Sequence, residues 1–285
     1  MADHPRPLLV GAVAYHPRVV TVWEGFREYF REAGLDVDYV LFSNYERLVD
    51  ALLDSAVDLA WNTNTAYVSA EARLGGEALV LGMRDVDAGY ATVLLVRAEN
   101  PLTGLGDLVG ETLALGSRDS GHAAILPLHF LAAEGLPLDQ VRLIRFDTDL
   151  GKHGDTGDSE QRVVSAVAEG LARAGAIGDA TWAHLRADRA PQADALRVAW
   201  RSPTYHHCCF TARPDLDPRV AGRWLELLLG MSYDDPKLRH FMDLEGVKRW
   251  LPGDKAGYEV LTNAMREQGY LPAGRQPLPQ DPPEE

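Results

Sequence analysis

Cysteine is nearly absent from this 285-residue chain: the two present, Cys208 and Cys209, are neighbours. Adjacent Cα atoms lie about 3.8 Å apart, below the ~4.4 Å lower end of ordinary disulfides, so both read as free thiols. Basic residues are also scarce, with Lys+Arg 28 against Asp+Glu 42 and a formal charge of -14. No basic run interleaved with aromatics occurs, which argues against nucleic acid or an anionic membrane as partner. No stretch approaches the ~18 uninterrupted apolar residues of a membrane span. The opening "MADHPRPLLVGAVAY" has a short apolar run broken by Gly11, with Asp3 where a signal peptide carries Lys or Arg. It reads as a first strand, and with free thiols it points to the cytoplasm. GxSxG, GxxxxGK[ST], HExxH and CxxC are all missing, so serine nucleophiles, P-loops and the commonest zinc patterns have no support.

What is present is the composition of a globular chain, 46% hydrophobic and 25% charged, at a length that fits two lobes or one large domain. The first third alternates strand and helix patterns. "LLVGAVAY" is a buried strand run, and Pro17 opens a helix whose stripe is Val20, Trp23, Phe26 and Phe30 and which stops at Gly34. "DVDYVLFS", an Asn44-capped "YERLVDALLDS", "VDLAWN" and "TAYVSAEARLG" complete a βαβαβα unit, which requires a parallel sheet. A second α/β unit occupies roughly residues 98 to 200, "LRVAWRSPTYHHCCFTARPDL" crosses back, and three helical segments follow. After Tyr270 come five prolines in fifteen residues, expected to run extended over the surface.

Ligands of an open α/β sheet sit beyond the carboxyl ends of its strands, where helix starts offer unpaired N–H groups. Four strand-to-helix turns qualify. "AYHPR" places Tyr15 and His16 before Pro17, and serves equally as a plain turn. "WNTNTAYV" carries Asn62, Thr63, Asn64 and Thr65, more short polar residues than one cap needs, with Trp61 and Tyr67 as stacking or packing surfaces. "GSRDSGHAAILPLHFL" gathers Ser117, Asp119, Ser120, Gly121 and His122 at a helix start. "DLGKHGDTGDSEQ" supplies Lys152, His153, Asp155 and Thr156 on a loop loosened by Gly151, Gly154 and Gly157. "YHHCC" adds soft ligands at a lobe crossing. If it is a strand, His206 and Cys208 share one face and His207 and Cys209 the other.

"GAVAYHPRVVTVWEGFREYF", "LVDALLDSAVDLAWNTNTAYV", "SRDSGHAAILPLHFL" and "KHGDTGDSEQRVVSAVAEGLARAGAIGDATW" together resemble the phosphate, phosphite and phosphonate substrate-binding proteins of ABC transporters, over roughly residues 8 to 270. The resemblance implies a two-lobed α/β type II periplasmic-binding-protein-like fold with two hinge strands. Lobe 1 would be 1–95 plus 205–270, lobe 2 would be 96–204, and 271–285 would form the tail. The hinge is expected at residues 91 to 97 and 200 to 205. By position, Asn62 to Thr65 match the family's first ligand wall, and Ser117, Ser120 and Gly121 its serine-rich helix start. Arg118, Asp119 and His122 depart from that serine-rich pattern.

The expected function is binding of a small oxyanion or carboxylate-bearing molecule between the lobes. Its ligand contacts would come from Tyr15, His16, Trp61, Asn62, Thr63, Asn64, Thr65, Ser117, Ser120, Gly121, His122, Lys152, His153 and Thr156. An ABC permease would be the partner only if an export leader preceded Met1; otherwise the fold serves inside the cell as a sensor. The alternative is a cytosolic lyase or decarboxylase on the same fold, an analogy of fold alone. There His122, His153 or His206 would act as general acid or base with Asp155 orienting the imidazole. No cofactor is expected. A divalent transition metal held by His122, His153, His206 or Cys208 is the variant to test.

Overall fold

A computed structural model describes residues 6–271. Most of the proline-rich tail expected from 271 onward, and the first five residues, lie outside the described residues. β1 (Leu8–Val13), α1 (Arg18–Glu32), β2 (Val37–Phe42), α2 (Tyr45–Leu53), β3 (Leu59–Asn62) and α3 (Asn64–Arg73) follow one another as the apolar periodicities require. Helix α1 buries Val19, Val22, Trp23, Phe26 and Phe30, one stripe at helical spacing, and Gly34 at φ +81° ends the run. Asn44 caps α2 by accepting the Arg47 N–H at 2.9 Å. Next come β4 (Leu79–Arg84), β5 (Thr92–Arg97), β6 (Thr112–Leu115), α4 (Leu126–Ala133), β7 (Arg142–Arg145), α5 (Asp158–Ala168) and β8 (Ala174–Gly178). The chain continues through α6 (Asp179–Ala187), α7 (Pro191–Ala195), β9 (Leu196–Arg201), β10 (Cys209–Ala212), α8 (Pro218–Leu229), α9 (Pro236–Glu245), β11 (Trp250–Pro252) and α10 (Glu259–Glu267).

Two sheets result. The first has the order β11-β4-β10-β3-β1-β2, and the second β7-β6-β8-β5-β9. β1 pairs in parallel with β2 and β3, as the βαβ unit demands, whereas β10 lies antiparallel between β3 and β4. The first sheet packs on an aromatic core in which Phe30 and Trp224 stack at 4.0 Å between ring centroids, with Trp23, Phe26, Trp61, Phe210 and Trp250 around them. The second sheet buries aliphatic residues, among them Val93, Leu94, Leu95, Val163, Val167 and Ile177.

The crossings are displaced from where the sequence places them. β5 does not bridge the lobes: residues Thr92 to Val96 are all buried and pair with β8 and β9 inside the second sheet. An apolar run buried on both faces needs neighbours on both edges, so it is drawn into a sheet interior. The chain therefore crosses at residues 85–91 and returns at 202–208, where Tyr90 and Tyr205 form a lone antiparallel bridge. α10 then ties the lobes together: it packs on α3 and on α4, Gln268 donates to Ile125 O at 2.8 Å and Tyr270 to Arg118 O at 2.6 Å. No described helix is long and apolar enough to cross a membrane.

Candidate ligand site between the lobes

Each sheet ends its central strands at one shared crevice, and the turns that follow meet there. β3 stops at Asn62, and Thr63 caps α3 by accepting the Ala66 N–H at 3.3 Å. Across the crevice Ser120 caps a single π-type turn, Gly121 to Ile125, that feeds α4, accepting the Ala123 N–H at 3.2 Å. Gly121 lies so close to Asn64 that a Cβ there would sit 2.5 Å from Asn64 Oδ1. Only glycine permits that approach. The loop after β7 closes the third side, carrying Gly151, His153 and Gly154 at φ +78°, +55° and +92°. Thr63 Oγ1 and His153 Nδ1 are hydrogen-bonded at 2.6 Å, and the Tyr45 ring stacks on His153 at 4.7 Å. The Tyr45 hydroxyl in turn donates to Asp155.

Ionisable groups fill this interior. Burial and the neighbouring imidazoles of His207 and His122 hold His153 near pKa 3, so it is neutral. The Thr63 hydroxyl, which also accepts the Ala66 N–H, shares one proton with His153 Nδ1, and this bond fixes the orientation of the neutral ring. His122 behaves oppositely. Burial works against its charge, but Glu160, with Oε2 3.4 Å from Nε2, outweighs that cost and raises the pKa. The Glu160 carboxylate is held by the Gly178 N–H at 2.6 Å and the Thr181 hydroxyl at 2.7 Å, and despite burial His122 keeps it below the usual range. His207 stacks on Tyr90 at 4.4 Å, meets His122 edge-on at 5.1 Å and places Nδ1 3.3 Å from Asp87. Asp87 is fully buried and clamped by both arms of Arg84, whose remaining nitrogen reaches Glu245. Burial lifts Glu245 to about 7.

Several buried polar atoms around the crevice have no partner among the described residues: Asn62 Oδ1 and Nδ2, Thr65 Oγ1, Asp119 Oδ1, His122 Nδ1, Ser159 Oγ and His207 Nε2. Buried groups of this kind normally find a partner, so their concentration at one place marks a site made to receive one. A cavity of about 150 Å³ opens beside Thr65, His153 and Asp119.

The model of the family described as "ABC transporter, phosphonate, periplasmic substrate-binding protein" matches residues 11–258. The chain belongs to that family. Among solved structures, PhnD1 of Prochlorococcus marinus in complex with methylphosphonate superposes with a TM-score of 0.73 at 19% identity, covering 94% of this chain and 100% of its own. A Xanthomonas citri protein bound to ATP gives 0.70 at 21% identity, with 91% and 97% covered. The aliphatic sulphonate binding protein SsuA of Escherichia coli gives 0.64 at 16%, with 94% of each chain covered. These likenesses establish the type II periplasmic-binding-protein fold for this family member.

Asn62, Thr63, Asn64, Thr65, Ser120, Gly121, His122 and His153 are buried at the facing turns, Thr65 and His153 lining the cavity, with Tyr15 half-buried within electrostatic reach of Glu245 and Asp155. Lys152 spans it, donating to Ala14 O at 3.4 Å. Other candidates are placed elsewhere. His16 is exposed and accepts the Arg18 N–H at the start of α1. Trp61 packs against Phe210 and Trp250 in the core, under the Arg84 guanidinium. Ser117 is taken up by Asp149, and Thr156 is exposed and donates to the other oxygen of the same carboxylate, so both shape the loop instead of facing a ligand.

His206 turns away from the crevice to lie against Gly257 and Tyr258, and His207 takes the inward position. The alternation expected for a strand fails because residues 206–208 form no ladder. His122, His153, His206 and Cys208 accordingly share no metal site. Among the described residues only Asp87, His207 and Cys208 bring three ligand atoms within 4.8 Å. Arg84 already neutralises Asp87, and burial pushes the Cys208 thiol well up, so this donor set fits a divalent ion poorly.

Tyr45, Asp87, Tyr90, Glu160 and His207 escape sequence reasoning. Glu160 sits in the first turn of α5, where an acid is ordinarily read as a helix-dipole partner.

Proposed function

We propose that the crevice binds a small oxyanion, of the phosphonate or carboxylate class, and that the lobes close on it by bending at residues 85–91 and 202–208. The observation that carries this reading is the gathering of unpaired buried donors, from Asn62, Thr65, His122, Ser159 and His207, beside two facing helix starts. Each helix start contributes free N–H groups and a partial positive charge, and His122 adds an imidazole whose pKa the Glu160 carboxylate raises. The net charge of -14 does not oppose this, because a buried ligand feels the nearest dipoles far more than distant screened charges. Methylphosphonate, recorded with one structural relative, belongs to the same chemical class.

Isothermal calorimetry against inorganic phosphate, alkylphosphonates and small aromatic carboxylates tests the reading. Heat from at least one class is expected; silence from all refutes it. Delivery to an ABC permease is the transport version, and retention in the cytoplasm the sensor version. Cell fractionation separates them.

A second reading has its own support. A buried imidazole with a carboxylate at its back and no partner for its other nitrogen, as His122 has in Glu160, is the arrangement of a general base. A lyase or decarboxylase acting through His122 would convert candidate acids in an NMR time course, and His122→Gln would abolish turnover.

A further inference from the structure

The cavity between α2, α3 and the loop ahead of Ser120 contains an acceptor that the chain leaves unused. Asp119 receives the Gly151 N–H on Oδ2 at 2.6 Å, while Oδ1 is buried without a partner among the described residues. Thr65, only 4% exposed, lines the same cavity with its hydroxyl equally unpaired, and the neutral His153 and Tyr45 complete the wall. The volume of about 150 Å³ accommodates a small oxyanion headgroup.

Resting on the reading that the crevice takes an oxyanion, we infer that this ligand brings a hydrogen-bond donor of its own, which Asp119 accepts, and that donor-free oxyanions such as alkanesulfonates are rejected. An ionised carboxylate has lone pairs and nothing to donate. Facing it with the oxygens of a fully ionised sulfonate sets acceptor against acceptor and leaves Oδ1 desolvated and unpaired. A hydrogen phosphonate offers P–OH at the same place, and an amino-substituted oxyanion offers N–H. Burial raises Asp119 to about 6, so at neutral pH it is still mainly the acceptor form. The Thr65 hydroxyl can donate to the ligand's remaining oxygens, giving the cavity both kinds of partner that a protonated oxyanion needs.

The test is calorimetry at pH 7 with three probes of similar size: methylphosphonate, methanesulfonate and 2-aminoethanesulfonate. Sites built around a buried polar partner discriminate strongly against analogues that lack the matching group. The better of the two donor-bearing probes is therefore expected to bind about 100-fold or more tighter than methanesulfonate. Tight methylphosphonate identifies P–OH as the donor, and tight 2-aminoethanesulfonate identifies ammonium. Asp119→Asn, whose amide can donate as well as accept, is expected to narrow the gap to methanesulfonate at least tenfold while circular dichroism stays unchanged. Methanesulfonate within about threefold of the best donor-bearing probe, or an unaltered gap in D119N, overturns the inference and leaves oxyanion binding standing. Silence from all three probes also overturns the inference, and the oxyanion reading falls with it only if inorganic phosphate and small carboxylates give no heat either.

Discussion

Replacing Glu160 by Gln probes the interior most directly, because one atom changes while the shape is kept. Glu160 and His122 are each 3% exposed, with 3.4 Å between the carboxylate oxygen and Nε2. At an effective dielectric near 20 the attraction is about 5 kcal/mol, and desolvation of both groups offsets part of it. Removing one partner of a buried pair costs ~3 to 5 kcal/mol. His122 can escape the upper end by shedding its proton, so about 3 kcal/mol is expected at pH 6. The pH dependence follows from the two directions of shift. His122 is raised above its ordinary 6.5, so its contribution is complete below 6.5 and is lost as pH climbs through the folded value. Glu160 is lowered below 4.5, so its contribution is complete above 4.5 and is lost as pH falls through the folded value. The pair is thus strongest between 4.5 and 6.5. Urea unfolding of E160Q should show its largest deficit there and a smaller one at pH 9, where about 1 to 2 kcal/mol remains from the altered bonds to Gly178 and Thr181. His122 should also titrate lower in the NMR spectrum of the variant. A deficit under about 0.5 kcal/mol at pH 6, typical of a neutral surface change, or one that does not shrink at pH 9, would refute the reasoning.

Gly121→Ala places a methyl 2.5 Å from Asn64 Oδ1; closure should be obstructed, weakening ligand binding about tenfold or more by calorimetry while the separate lobes stay folded. Thr63→Val removes the hydroxyl bonded to His153 Nδ1 and the cap of α3 together, with an expected loss of about 1 to 3 kcal/mol in urea melts. His153 is held neutral near 3, so the unfolded chain binds a proton that the folded one refuses, and stability should decline as pH falls from 6.5 towards 3. His153→Gln should flatten that decline. Elemental analysis should find well under one equivalent of transition metal, and EDTA should leave thermal unfolding unchanged, because Arg84 occupies the carboxylate a metal would need.

The first unit of the fold was legible because each of its signals is local: apolar stripes at helical spacing, Asn44 as a cap, Gly34 as a stop. The two facing helix starts were legible for the same reason, since a cap and its free N–H groups are properties of a few consecutive residues. What misled the reading depended on partners. The run from Thr92 to Val96 is equally a hinge strand or a sheet interior until β8 and β9 are known to flank it. The inward histidine at "YHHCC" could not be chosen by alternation, because that rule presupposes a ladder and residues 206–208 form none.

Glu160 and Asp87 mark the deeper limit. Each is an unremarkable acid in its own neighbourhood, and each gains its role from an imidazole contributed by a remote segment, His122 for one and His207 for the other. The departures Asp119 and His122 within a serine-rich helix start were visible in the sequence, but their consequence was not. It follows from burial, which makes the unpaired Asp119 Oδ1 and the unpaired His122 Nδ1 costly unless a ligand satisfies them. A chain that keeps both in its interior is specifying the chemistry of its guest: an oxygen-rich group for the imidazole, and a proton-bearing one for the carboxylate.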